Sequence, residues 1–445
     1  MKRLIVVTAL LILVVAGCGD DPLVDRTTTE VTTTTAPEQT TTPEQTTTTG
    51  GAPVGDFEDD VQALLAVTEE LRGLQFLDPV EVTFLTSEEM AIRVAADIAE
   101  EIDPEEIVID QALYELIGIL PPGIDLAQAL QDLYAEQVAG FYDDDTGELV
   151  VAAGRELSSM SRVYVVHELI HALTDQHFDF ADEFERLVDA DRHHEASALL
   201  ALVEGDATYF MILYLQGMST DDQVAAALES LEADTTVLDS LPAWFAEDLL
   251  FPYDSGFGFV ERLIADRGIG GLNRAYELMP TTVEQIMHPT AYFAIEPSRP
   301  VTLPETSVAG YAVHREGEFG EWNLRLYLLD GISDGEATIA AAGWGGDTYR
   351  ILWNGNDVAF AYVFEGDTPR DAEELEGALL DSIRAGMAVG GGFADAAQQS
   401  TTFEGSGLAF VQRRGAQVLM VAAADVAVGR ELIDQLRFEI TDGEA

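Results

Sequence analysis

The chain of 445 residues contains one cysteine, Cys18, one lysine, Lys2, and only seven histidines. With a single thiol, no disulfide can form within the chain, and no disulfide framework holds the fold. Cations are scarce as well: 22 Lys plus Arg stand against 81 Asp plus Glu, a formal net charge of −59. Nucleic acid is held mainly by cationic groups facing phosphate, so this balance excludes nucleic acid as a partner and disfavours anionic membrane surfaces. Such charge speaks to solubility and exposed surroundings, not to fold. The apolar run from Leu4 to Val15 is too short for the roughly 20 residues that span a bilayer. What is present is an apolar fraction of 47% with 8% aromatics, ample for a packed core, on a chain long enough for two domains or one large one.

Lys2 and Arg3 precede that short apolar run, which is the layout of a secretory signal, and the run ends in Val15-Ala16-Gly17-Cys18. This resembles the lipobox of bacterial lipoproteins. The resemblance implies cleavage before Cys18, lipidation of Cys18, and an exported protein anchored to the outer face of the bacterial cell membrane. From Thr27 to Gly50 the chain turns to Thr with scattered Pro, Glu and Gln, a composition with almost nothing to bury that reads as a disordered tether. The expected organisation is a signal over 1–17, the tether over 18–55, a main domain over 56–300 and a second over 301–445.

Helical spacing of apolar residues predicts helices over Val61 to Leu74, Ser87 to Glu101 and Leu126 to Val138, and alternation predicts a strand over Val80 to Leu85. Val138 to Val151 holds two β-prone runs around an Asp/Thr/Gly turn and reads as a hairpin. A helix over Val163 to Asp175 follows, with Ser159 or Ser161 as its cap. Ala196 to Leu215 is a second strongly apolar helix. Beyond residue 300, strands at Tyr349 to Trp353, Val358 to Phe364 and Gln417 to Ala423 alternate with helices at Ala372 to Met387 and Val426 to Leu436, a smaller α/β domain. The Gly-rich run around Gly343 to Gly346 lacks the spacing and Lys of a P-loop and reads as a turn leading into a strand.

The chemistry is carried by His167-Glu168-Leu169-Ile170-His171. Histidines four apart on a helix share one face, about 6 Å apart along the axis, and can grip one zinc ion. Glu168 lies about 100° round from His167, placed to act as a base without being a ligand. The flanking Val163 to Val166 and Leu169, Ile170, Ala172 and Leu173 make this a buried helix, and buried paired histidines need a partner.

Val165 to Asp175 resembles the active-site helix of thermolysin-like and related zincin metallopeptidases. The resemblance implies an α+β, zincin-like fold, a mainly helical metallopeptidase domain over 56–300. In that fold a hairpin precedes the active-site helix and its edge strand binds substrate backbone; Val138 to Val151 sits where it belongs. Glu204-Gly205-Asp206-Ala207, Phe251-Pro252-Tyr253 and Glu284-Gln285-Ile286-Met287-His288-Pro289 also resemble uncharacterised exported bacterial proteins of the zincin group, a likeness that carries no known activity.

One catalytic zinc takes three protein ligands and keeps an open position. Glu204, in the second apolar helix, stands where the third ligand of a gluzincin stands, and a buried acid needs a charged partner. Gly205 beside it permits close helix packing. His177 occupies the position a metzincin would use, but Thr174 replaces the glycine that breaks the helix there, and in an unbroken helix His177 lies some 15 Å along the axis from His167. His193 and His194 compete on ligand chemistry alone. Thermolysin-like proteins place a carboxylate four residues after the ligand Glu; here that position is Thr208, leaving Asp206 or Asp175 as outer partners or as solvated or capping residues.

The implied function is hydrolysis of peptide bonds in a peptide or protein substrate by zinc-activated water, with Glu168 as general base. His288 or Tyr253 is the candidate second electrophile, set against plain structural roles as a helix-end histidine and a packing residue beside Pro252. Two other readings share these residues: a non-catalytic envelope lipoprotein, a binding or scaffold module retaining a zincin fold, and hydrolysis of a non-peptide amide. The region from Phe57 to Leu120 is long enough to include a propeptide.

Overall fold

A computed structural model of the chain describes residues 5–9, 55–101, 103–143, 146–152, 157–233 and 235–439. Most of the expected signal segment, Cys18 and the Thr-rich tether lie outside the described residues. The first part runs β1 (Ile5–Ala9), α1 (Gly55–Arg72), β2 (Glu81–Leu85), α2 (Ser87–Glu101), α3 (Pro104–Ile117), α4 (Leu126–Gln137), β3 (Val138–Asp143) and β4 (Glu148–Ala152). Helices α5 (Ser159–Phe178), α6 (Phe180–Asp189), α7 (His193–Gly217), α8 (Thr220–Ser230), α9 (Ala243–Arg267), α10 (Ile269–Glu277), α11 (Val283–Met287) and α12 (Pro289–Ala294) follow. The last part is β5 (Ala312–Gly317), α13 (Gly320–Leu329), α14 (Asp334–Ala341), β6 (Trp344–Trp353), β7 (Val358–Gly366), α15 (Pro369–Gly386), β8 (Gly392–Asp395), β9 (Ser400–Glu404), β10 (Leu408–Arg414), β11 (Gln417–Ala423) and α16 (Val426–Leu436). The class is α+β, helical first and sheet-rich at the end.

The expected hairpin is β3 and β4, antiparallel from Gly140↔Val151 to Asp143↔Glu148, in a small sheet ordered β1-β3-β4-β2. β2 joins β4 in parallel, and Ile5–Ala9 runs antiparallel along the other edge of β3. Every residue of Leu149-Val150-Val151 is fully buried, because β4 is covered on both sides. Leu149 and Val151 pack with Val165, Val166 and Leu169 of α5, while Val150 turns to Phe141, Met90 and Val94. A strand without a polar face is what a sheet sandwiched between helices requires.

That sandwich puts α5 inside the protein. Its cap is Ser158, whose hydroxyl accepts the N–H of Ser161, which corrects the expected Ser159 or Ser161. From Val163 to Thr174 every side chain is buried. α7, beside it, is long and apolar enough to cross a membrane, yet two-thirds of the relevant window, 67%, is buried. It is a core helix, polar where it meets α5 and bare where it meets α9. The contact with α9 is made by glycines: a Cβ on Gly205 would collide with the carbonyl of Gly256, and a Cβ on Gly256 with the carbonyl of Ala201.

The second sheet is ordered β5-β6-β7-β11-β10-β9-β8, and each described pairing in it is antiparallel. Alternation along β7 separates its faces. Phe360, Tyr362 and Phe364 join the core that includes Leu375, Leu379 and Ile383 of α15; Ala359, Ala361 and Val363 meet Leu432 and Leu436 of α16. The Gly-rich run lies partly inside β6, where the register shifts between Trp344 and Gly346. The larger core is continuous across residue 300: Trp322 of α13 stacks on Phe251 of α9 with centroids 4.4 Å apart, and α3 packs against β7.

Candidate metal centre

His167 and His171 project from one face of α5, as their spacing demands, and Glu204 meets them from α7. The Nε2 atoms of the two histidines are 2.9 Å apart. Glu204 Oε2 lies 3.1 Å from His167 Nε2 and 3.4 Å from His171 Nε2. Both histidines are wholly buried and Glu204 is 2% exposed. Two imidazole nitrogens aimed at each other beside a carboxylate repel through their lone pairs unless a proton or a cation lies among them. The three form a buried group able to hold a metal ion, and among the described residues it is the one such group.

The electrostatics agree with that role. Burial pushes the Glu204 carboxyl up, but the charge of His171 and hydrogen bonds to both imidazoles outweigh it and bring it down to about 2. Glu204 is thus held as an anion. Burial lowers the pKa of His167 against the pull of Glu204, which favours the neutral imidazole that ligates. Two nitrogens and a carboxylate oxygen are the donor set that suits zinc.

Glu168 is fully buried, and its carboxylate has no side-chain hydrogen-bond partner. Burial and then the charge of Glu204 raise its pKa well above the ordinary value, with the backbone N–H of Tyr142 acting against them. The hairpin therefore lies against the candidate base. Gly140 of β3 is bare there: a Cβ would come within 3.6 Å of Glu168 Cγ.

The two candidate electrophiles part company. Tyr253, buried in α9 one residue after the in-helix Pro252, has its ring centroid 6.1 Å from that of His167. His288 lies between α11 and α12 and bonds through Nε2 to both oxygens of the buried Glu321, 3.0 Å from each. The competing ligands also point elsewhere. His177 bonds to the carbonyl of Gln75 at 2.8 Å, His193 lies 3.8 Å from Asp191, and His194 Nε2 accepts the backbone N–H of Val283 at 2.9 Å. Asp175 accepts from the Tyr142 hydroxyl and the Ala181 N–H, so it joins β3 and α6 to α5. Thr208 is buried, and Asp206 is paired with Arg72.

Several neighbours were not legible in the sequence: Gly140 and the Tyr142 N–H beside Glu168, Phe180 with its ring 6.3 Å from His171, and Arg72. None belongs to a motif, since each arrives from another element. Two clefts of about 710 and 410 Å³ open around His193, His194, Glu318 and Tyr349 at the start of α7; neither is lined by the metal trio.

Residues 309–433 match a family described as a domain of unknown function (DUF8575). None of the curated proteins matches the chain. Among solved structures it is similar to a crystal structure from Chloroflexus aurantiacus described as "a putative hydrolase with a novel fold", at 18% identity and a TM-score of 0.35, covering 53% of this chain and 89% of that one.

Proposed function

We propose that this chain is a zinc-dependent metallopeptidase of the zincin group, of gluzincin type, exported and held at the outer face of a bacterial membrane through a lipidated Cys18. The observation that carries the reading is the convergence of His167, His171 and Glu204 into one buried donor set with Glu168 beside it. His167, His171 and Glu204 would hold the ion, which supplies Lewis-acid polarisation of the scissile carbonyl. Glu168, with its raised pKa, takes the proton of the attacking water and passes it to the leaving amine. Tyr253 is the better placed of the two candidate electrophiles, because its ring packs beside His167.

A retained base favours catalysis over a scaffold role, since a purely structural zinc site fills its fourth position with another protein ligand. The test is zinc content by elemental analysis together with cleavage of a peptide library, for the parent and for Glu168→Gln. About one zinc per chain with cleavage that Glu168→Gln abolishes supports the proposal. Zinc with no cleavage of peptides sends the search to non-peptide amides, and absence of zinc after supplying the metal replaces the proposal by the non-catalytic envelope lipoprotein.

A further inference from the structure

Arg72, the last residue of α1, is among the largest side chains buried without exposure. Its Nε lies 3.0 Å from an oxygen of Asp206, itself fully buried, and its Nη1 donates to Asn273 of α10 at 2.7 Å. The guanidinium sits over the rings of Phe178 and Phe210, 5.9 and 5.5 Å from their centroids. Tyr276, also of α10, donates its hydroxyl to Asp206 at 2.9 Å. The Tyr276 ring stacks on Phe178 at 4.4 Å.

The positions of these partners on the two ligand helices are the informative part. Asp206 follows Glu204 by two residues, about 200° round α7, so it grips the helix from the side away from the metal donors. Phe178, on which the Tyr276 ring stacks, follows His171 by seven residues and lies within about 20° of the same face of α5. Tyr276 thus touches both helices of the metal group at once, through the Asp206 carboxylate on α7 and the Phe178 ring at the end of α5. A charge pair this deep is costly to desolvate and adds little net stability by itself, so fixing geometry is the role its position suits.

We propose that Arg72, Asp206 and Tyr276 are positioning residues that set the roll of α7 against α5 and so present Glu204 to the metal. The proposal rests on the metal-centre reading above. It makes α1 a permanent part of the site: removing Gly55–Arg72 would take from the buried Asp206 its charged partner, so α1 is not a propeptide shed on activation.

The experiment compares the soluble parent with Tyr276→Phe, with the neutral pair Arg72→Met/Asp206→Leu, and with Glu204→Ala. Zinc affinity is read by chelator competition, cobalt coordination by its visible absorption, and folding by thermal unfolding without metal. We expect Tyr276→Phe and the neutral pair to unfold cooperatively, to bind zinc roughly 10-fold or more weakly, and to shift the cobalt spectrum towards that of Glu204→Ala. The two substitutions serve different ends, since Tyr276→Phe keeps the ion pair and carries the test should the neutral pair fail to fold. Parent-like affinity and cobalt spectrum in a folded variant overturn the positioning role while leaving the metal centre intact. A parent that takes up neither metal overturns the metal reading, and the inference with it.

Discussion

Gly205 and Gly256 meet backbone to backbone, so that neither can carry a side chain without striking the carbonyl of the other helix or its neighbour. Because Gly205 directly follows Glu204, this close approach of α7 and α9 also fixes the place of the Glu204 carboxylate.

Alanine at either glycine therefore forces the helices apart. We expect Gly256→Ala to cost about 1–3 kcal/mol, the range for overpacking a close contact, and to weaken zinc binding through Glu204 although residue 256 lies on another helix. Chemical denaturation and a zinc titration of the same variant check both. An unchanged denaturation midpoint would show that the helices separate freely.

Glu168→Gln keeps shape and burial while removing the carboxylate proposed as the base. Zinc content is expected to stay at the parent level, with the hydrolytic rate falling by about 10²–10⁴-fold. Steady-state kinetics on a cleaved peptide, alongside elemental analysis, separates this from loss of metal.

Histidine substitutions distinguish ligands from bystanders. His167→Ala and His171→Ala should each abolish stoichiometric zinc, and Glu204→Ala should reduce it markedly. His177→Ala and His193→Ala should leave it unchanged, because those side chains face Gln75 and Asp191. Zinc loss in His177→Ala would reopen the metzincin arrangement.

A pH dependence follows from Glu318, whose carboxyl is raised from 4.5 to about 7 by burial and then by the charges of Asp347 and Glu195, against a hydrogen bond from Ser298. A raised carboxyl prefers its protonated form in the folded state. Its contribution is thus most favourable below pH 4.5 and is lost as pH rises to about 7. After allowance for solvent screening of this partly exposed group, Glu318→Gln should stabilise the fold at pH 8 by on the order of 1 kcal/mol and change little at pH 4. Thermal unfolding at the two pH values decides it; equal effects at both would show that Glu318 ionises freely in the fold.

The elements that periodicity and motif define were legible in the sequence. Ser87–Glu101, Gln417–Ala423 and Val426–Leu436 have the predicted ends, and the hairpin and both ligand helices lie where local pattern placed them. His167, Glu168 and His171 belong to a local spacing rule, and Glu204 came through resemblance and the rarity of a bare acid in an apolar helix. Arg72, Phe180, Gly140 and the Tyr142 N–H left no such trace, because what brings them to the site is packing between elements distant in the chain. His288 shows the reverse failure: a motif-like setting drew attention to it, yet the charge that holds it is Glu321, on a helix no local pattern had marked. β5, β8 and β9 were missed because short edge or half-exposed strands alternate weakly, and β10 was missed although Leu408 to Gln412 is buried on both faces, because a strand without a polar face does not alternate.

The stacking of Trp322 on Phe251 across residue 300 bears on how the chain would respond to proteolysis. A protease would nick the chain most readily in the stretch around 297–311, which has little regular structure. With one core shared by the segments on either side, such a nick would leave two fragments still clasped together. Shedding of an independent C-terminal module is not to be expected: the region matched by the family model would have to be torn from the helices that carry His167, His171 and Glu204, and neither part would keep its interior dry.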